Sequence, residues 1–358
     1  MRYVLKTGFD QEIALLRRPG QGFCYGLLAL LMLMLPMAAS PYWLSQLTFI
    51  LIYAVAGLGL MLLAGYTGLV SIGHAAFLGM GAYAQAWLSP RGWPFPLAMA
   101  AAAALSALAG LVVGLPALRI KGIYLAIATL AFGFIAEEVI ARWESVTGGN
   151  AGMGVKAPAI ADWQLRSTES LYYLALAVCV GVTLGMLNLL RGSTGRAFIA
   201  MRDSEISAQS MGIHLARYKT LAFSLSAAIV GLAGALYAHK LRFLSPEQFG
   251  IAQSIDLLLL VVVGGLGSVH GAFLGAIFII AMPQLIAQAK DFLPAAMAQA
   301  TGLQAVVFGL VLMGFVLFEP QGLYGRWLKL RAYADMFPLY RQGMFRRQKT
   351  FQKSERLK

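Results

Sequence analysis

Apolar residues run along this chain in long unbroken blocks, not at the spacing of an amphipathic helix or in the alternation of a half-buried strand. The blocks fall near 22–39, 46–64, 72–88, 96–115, 122–140, 170–190, 220–238, 252–266, 270–288 and 302–318. Most approach the roughly 20 apolar residues that a helix needs to cross a hydrocarbon core. Lipid offers backbone amides no partner, so each must bond within its own helix. The pattern predicts an all-α integral membrane protein, a polytopic bundle of about ten transmembrane helices. The first block could pass for a signal peptide, but no small-residue cleavage site leads into a polar mature segment, and apolar blocks continue to Phe318; it reads as the first span.

Composition agrees. Hydrophobic residues make up 59% of the 358 and charged residues 12%, about half the charge of an ordinary soluble domain. The net charge of +13 could suggest nucleic acid, but the cations gather in the breaks between blocks and in the tail. With the N-terminus inside, 21 of the Lys and Arg residues face the cytoplasm, and 7 (Arg91, Arg142, Lys156, Arg166, Lys240, Arg242 and Lys290) face the other side. That is the positive-inside bias, and it puts both termini in the cytoplasm. The expected organisation is a cytoplasmic tail at 1–21, a membrane domain at 22–318 and a basic cytoplasmic tail at 319–358, which reads as a membrane-surface anchor. The membrane domain carries a periplasmic loop at 142–169 and a cytoplasmic loop at 191–219. Cys24 and Cys179 lie inside apolar blocks and imply neither a disulfide framework nor a metal site.

The cytoplasmic loop is too long and too patterned for a minimal turn. Asp203 can cap a following helix, Glu205 sits in its first turn, and Gly212 can close it, which predicts a short amphipathic helix at about 204–211. Arg196, Arg202, Asp203 and Glu205 put both signs of charge on a small surface, which suits a protein contact better than an anionic membrane.

Four separated strings, in order, carry a resemblance. They are Gly65-Tyr66-Thr67-Gly68-Leu69-Val70-Ser71-Ile72-Gly73-His74; Leu118-Arg119-Ile120-Lys121-Gly122-Ile123-Tyr124; Gly195-Arg196-Ala197 with Ala200, Arg202, Asp203, Ala208, Gly212 and Lys219; and Gly264-Gly265-Leu266-Gly267-Ser268 with Gly271 and Gly275. Together with the end, Glu319-Pro320-Gln321-Gly322-Leu323, they resemble the permease subunits of ATP-driven importers for branched-chain amino acids, of the LivM type. The resemblance implies a pathway for such amino acids across a bacterial inner membrane. It also implies four partner subunits: a second permease of the LivH type, two ATP-binding subunits, and a periplasmic substrate-binding protein in which affinity would reside. Neither ATP nor Mg would be held by this chain; both would be used by the partner subunits. In that family a short loop helix enters a groove on the ATPase, a role that here would fall on Gly195, Arg196, Ala200, Arg202, Asp203, Glu205, Ala208 and Gly212. Changing Asp203 and Glu205 to lysine would then leave the chain folded and uncouple it from its ATPase.

The string from Gly68 to Gly79 recurs, with a one-residue gap, from Gly265 to Gly275, including His74 and His270. Such an internal repeat, with broken or re-entrant glycine-rich segments, points toward a substrate route in transporters. Ser71, Gly73, His74, Gly265, Gly267 and Ser268 are candidates for that pathway, with Glu137 as an acid set in an apolar block. The competing explanation is close helix packing, since Gly110 with Gly114 and Gly181 with Gly185 show the same small-residue spacing without a histidine. Arg142, one turn after Glu138, can pair with it, and Asp256 carries the same ambiguity as Glu137. No phosphate-binding loop of the Gly-x-x-x-x-Gly-Lys-Ser/Thr kind occurs, so energy must come from a partner. An ion-coupled secondary transporter or a channel remains open on composition alone. A membrane enzyme is disfavoured, because the four histidines are scattered and no catalytic set or metal cluster is visible.

Overall fold

The structure is a computed structural model that describes residues 19–118, 120, 122–160, 163–164, 167–289, 303–319 and 321–336. The N-terminal tail through Arg18, the loop cations Arg119 and Lys121, and the tail beyond Met336 lie outside the described residues. Each of the ten apolar blocks holds a helix. They are α1 (Pro19–Ala38), α2 (Pro41–Leu60, continued by a wide π turn over Met61–Tyr66), α3 (His74–Leu88), α4 (Phe95–Gly114), α5 (Ile123–Arg142), α6 (Thr168–Arg191), α9 (Leu215–Leu241), α10 (Ile251–Gly264), α11 (Val269–Ala289) and α12 (Leu303–Phe318). Between α6 and α9 the polar loop folds into α7 (Ser193–Asp203) and α8 (Glu205–Ser210), and α13 (Gly322–Met336) follows α12. Among the described residues seven helices are long and apolar enough to cross a membrane, with shorter apolar stretches at Gly22–Ala38 and Val306–Phe315.

Helices α2 and α9 form the centre. Helix α9 packs along α4, α3 and α2, while α2 also packs against α6 and α11. Small residues allow this: a methyl group added to Gly110 or Gly114 on α4 would meet Phe223, Ala227 or Thr220 of α9. Gly181 and Gly185 on α6 have open space beside them. The equal spacings thus serve different ends, one a helix contact and the other an outward face.

Helices α2 and α10 run parallel, since Gly57 lies against Leu260 and Gly65 against Gly267. The breaks that follow them, 67–73 and 265–268, therefore lie at the same end of the bundle, together with Arg202 and Tyr324. An inverted repeat is excluded for these two strings; the hairpins α2–α3 and α10–α11 share one direction. The opposite end gathers the described part of the loop after α5, residues 143–160, and the turn 242–250. There Val155 N donates to the Arg242 carbonyl at 2.8 Å, and Met153–Gly154 pairs antiparallel with Phe243–Leu244. Buried His239 fastens that loop to the bundle: its Nδ1 donates to the Lys156 carbonyl at 3.0 Å, and its Nε2 takes a hydrogen from Gln85 at 3.0 Å.

Candidate coupling and translocation site

Two breaks and one polar arm make up the site. In the first break several backbone groups that leave the helix find partners within the protein, since burying a main-chain N–H unpaired is costly. Leu69 N bonds to the Leu63 carbonyl at 3.2 Å, Ile72 N to Thr129 Oγ1 at 3.0 Å, and Ala75 N to Ser254 Oγ at 3.1 Å. Three different helices thus hold the segment 67–73 open.

His74, 1% exposed, opens α3 between two serines. Ser226 Oγ donates its one hydrogen to the Gly59 carbonyl at 2.7 Å, so it accepts from His74 Nε2 at 2.9 Å. His74 Nδ1 then accepts from Ser71 Oγ at 2.7 Å, a neutral ring with both nitrogens used. It braces α2, α3 and α9 together. Gly73 lies against the Thr129 backbone of α5, where a side chain has no room.

The second break turns through Gly265 (φ 113°) and Gly267 (φ 81°), conformations open to glycine. Ser268 Oγ donates to the Gly265 carbonyl at 3.2 Å and accepts from Gly271 N at 2.9 Å, which starts α11. His270, aligned with His74 in the repeat, has a different environment: it bonds Tyr25 Oη at 2.8 Å and stacks on Tyr324 at 5.5 Å between ring centres.

Of the pathway candidates, Ser71, Gly73, His74, Gly265, Gly267 and Ser268 come together at one end of the bundle. Glu137 does not. It sits toward the far end of α5 with its carboxylate against Gly250, while Glu138 pairs with Arg142 on the exposed face. A small crevice of about 10 Å³ lies beside α5, between Ile72, Leu130, Gly133 and Phe134 on one hand and Gly250 and Ser254 on the other. The outer side of α5 is an apolar stripe of exposed Ile123, Ile127, Ile135 and Val139. Asp256, half-buried, lies near Tyr53 and Tyr237. No group of three or more metal-type side chains occurs among the described residues.

The polar arm differs from its sequence reading in one respect. Helix α7 runs through Asp203, and the chain breaks at Ser204 (φ −163°, ψ 114°), whose side chain accepts from Ser207 N at 3.2 Å. Ser204, not Asp203, caps α8. Asp203 instead accepts from Arg202 Nε and Nη2 at 3.2 and 3.1 Å. Ser204→Ala should therefore loosen α8 by about 1 kcal/mol, seen as roughly fivefold faster hydrogen exchange at 205–211, with Asp203→Ala silent there. Gly212 closes the element at φ 83°, as its position suggested.

Gly195 packs on the Leu190 backbone, Ala200 lies half-buried, and Ala208 is buried; Arg196 reaches the Arg191 carbonyl at 3.2 Å. Glu205 turns inward and pairs with Lys219 of α9 at 2.8 Å. The outward side of α8 carries Ile206, 78% exposed, among exposed Ser207, Gln209 and Ser210, and Met211, the C-cap residue just after it, is 84% exposed. Sequence reasoning passed over Ile206 and Met211, because the loop also holds Phe198, Ile199, Met201, Ile213 and Leu215 and the sequence does not tell which of these apolar residues face outward. It also missed Thr129 and Ser226, whose roles arise from contacts between distant parts of the chain.

Residues 42–316 match the family described as branched-chain amino acid transport system, permease component. The chain is 35% identical over 302 residues to the high-affinity branched-chain amino acid transport system permease protein LivM of Salmonella typhimurium, covering 77% of this chain and 68% of that relative. LivM of Escherichia coli K12 is 34% identical over the same shares. The autoinducer 2 import system permease protein LsrC of Enterobacter sp. strain 638 is 28% identical, covering 68% of this chain and 72% of the relative. No solved structure matches the chain significantly.

Proposed function

The chain belongs to the permease components of branched-chain amino acid transport systems, and from that premise we propose how its geometry serves ATP-driven import. It is a multi-pass membrane protein and a transport subunit, not an enzyme. The ten apolar helices all span a bacterial inner membrane, with the breaks, α7–α8 and α13 on the cytoplasmic side and the loop 143–167 outside. Leucine, isoleucine, valine or related amino acids pass between this chain and a second permease laid against the exposed apolar stripe of α5. ATP and Mg act on two ATP-binding partners, and a periplasmic binding protein delivers substrate to the outer loops.

One observation carries the coupling. Helix α8 is braced to α9 by Glu205 and Lys219, while Ile206 and the C-cap residue Met211 stand exposed beside Ser207, Gln209 and Ser210, so the arm has one fixed side and one side free to meet a partner through two large apolar side chains. The test changes only the free face. Ile206→Asp with Met211→Asp should insert normally and lose the ATP-binding subunits on co-purification, with recovery down about tenfold or more. Recovery at wild-type yield would remove the docking assignment. Uptake by this chain alone under an ion gradient, without ATP, would remove the whole reading in favour of a secondary transporter.

A further inference from the structure

We propose that Arg202 is the positioning residue through which displacement of α7–α8 reaches both glycine breaks at once, so that the two breaks move as a pair. The proposal rests on the reading of α8 as the ATPase contact and adds the link from that contact to the membrane.

Arg202 lies in the last turn of α7, on the arm itself, and its side chain crosses out of the arm. Nη1 donates to the Gly65 carbonyl, at the end of the π turn of α2, at 3.2 Å. The stem lies over Gly68, where an added methyl would come within 3.2 Å of Arg202 Cγ, and Nη1 lies over Gly267, where it would come within 3.1 Å. One side chain therefore touches α2, the first break and the second break.

The two breaks also touch each other. A methyl on Gly65 would come within 2.6 Å of Gly267 N, so their backbones are in direct contact and Arg202 covers the seam. A side chain on Gly65 would push the two breaks apart, one on Gly68 would crowd the Arg202 stem, and one on Gly267 would crowd its guanidinium. Two of these glycines, Gly68 (φ 73°) and Gly267 (φ 81°), also have backbone that only glycine adopts easily.

Asp203 sets the aim. By taking Nε and Nη2 of the planar fork it leaves Nη1 directed at Gly65. The Arg202–Asp203 pair is well exposed, with side chains 38% and 65% accessible, so it adds little to stability and its effect is orientation. The charged donor on a backbone carbonyl is the stronger contact. A rigid helix that moves against a packed seam passes on its displacement, whereas a loop without such a link absorbs it.

The assembled transporter in proteoliposomes, with its second permease, ATP-binding subunits and binding protein, tests this through Arg202→Gln and Arg202→Lys. Assembly and ATP hydrolysis stimulated by the binding protein should persist in both, while substrate taken up per ATP falls about tenfold or more in Arg202→Gln. Arg202→Lys should recover part of the ratio, since an ammonium still reaches the Gly65 carbonyl but lacks the fork. A second readout on the same assembled transporter needs no uptake: Val70→Cys, at an exposed position of the first break, should change its thiol-labelling rate between nucleotide-free and vanadate-trapped states, and Arg202→Gln should erase that change. Unchanged uptake per ATP in Arg202→Gln overturns the proposal. Loss of the ATP-binding subunits from Arg202→Gln also overturns it, by making Arg202 a docking residue. Failure of the docking assignment itself would show instead as full recovery of those subunits by the Ile206 and Met211 double variant.

Discussion

Gly234→Val should prevent the chain from accumulating in folded form, while Gly185→Val leaves its yield unchanged. Both positions are glycines inside long apolar helices, and hydropathy treats them alike. The difference is what stands beside them. Gly234 on α9 faces the Leu78 carbonyl of α3 directly, and an added methyl would also come within 2.9 Å of Leu78 C and 3.0 Å of Ala82 N. One turn away, Gly81 of α3 lies on the backbone of Gly231. The two helices cross with their main chains in contact. Backbone cannot swing aside as a side-chain tip can, so the cost sits at or above the upper part of the overpacking range, about 3 kcal/mol. That is a large share of the roughly 5–15 kcal/mol that holds a folded domain together. Gly185 on α6 has nothing within 4 Å. Size-exclusion of detergent-extracted protein gives the answer. A monodisperse Gly234→Val at wild-type yield would mean that α3 and α9 do not cross there.

The positions of the apolar helices were legible because a bilayer forces each span to satisfy its own amides, and a run of apolar residues is a local property. Closeness between distant segments is not local. The span count already set both strings, at Gly68 and Gly265, at the start of helices running the same way, and the contacts Gly57–Leu260 and Gly65–Gly267 agree; that the two breaks touch is what the count could not give. His74 and His270 occupy the same place in the repeat, yet one is sealed between serines and the other bonds tyrosines near α13. The cap of α8 was missed by one residue because Asp203 and Ser204 are both good caps, and what decides between them is the tie of Asp203 to Arg202. The inward reach of Arg202 spans 137 residues of sequence and leaves no periodic trace.

These contacts give the two glycine-rich breaks different fastenings. The first is held by hydrogen bonds from α5, α9 and α10, through Thr129, Ser226 and Ser254. The second is held by its own serine and by the elbow before α13, where Gly265 lies against Gln321 and Tyr324. A displacement entering at Arg202 meets the more firmly bonded break on one side and the elbow on the other. The C-terminal segment is thereby placed to respond with the second break, and Glu319, paired with Arg326 and Lys329, fixes the elbow to α13.

Glu205→Ala should destabilise the protein more than Lys219→Met, although the two changes break the same ion pair. Lys219 is 3% exposed at its side chain and Glu205 22%. Removing the carboxylate leaves an ammonium buried in the second turn of α9, where breaking such a pair costs about 3–5 kcal/mol. Removing the ammonium while keeping an apolar stem of similar length preserves the packing, and the carboxylate can turn toward water. Thermal unfolding in detergent should order the variants wild type, Lys219→Met, Glu205→Ala, with Glu205→Lys last because it sets two ammonium groups face to face. Restoring opposite charge through Glu205→Lys with Lys219→Glu should recover part of the loss. Equal melting temperatures for Glu205→Ala and Lys219→Met would mean that burial does not discriminate the partners. The same geometry alters what a charge reversal at 205 can reveal. It would loosen the brace between α8 and α9, so any loss of ATPase binding would reflect a slack arm as much as a lost contact, and the docking face has to be tested at Ile206 and Met211, which point away from the bundle.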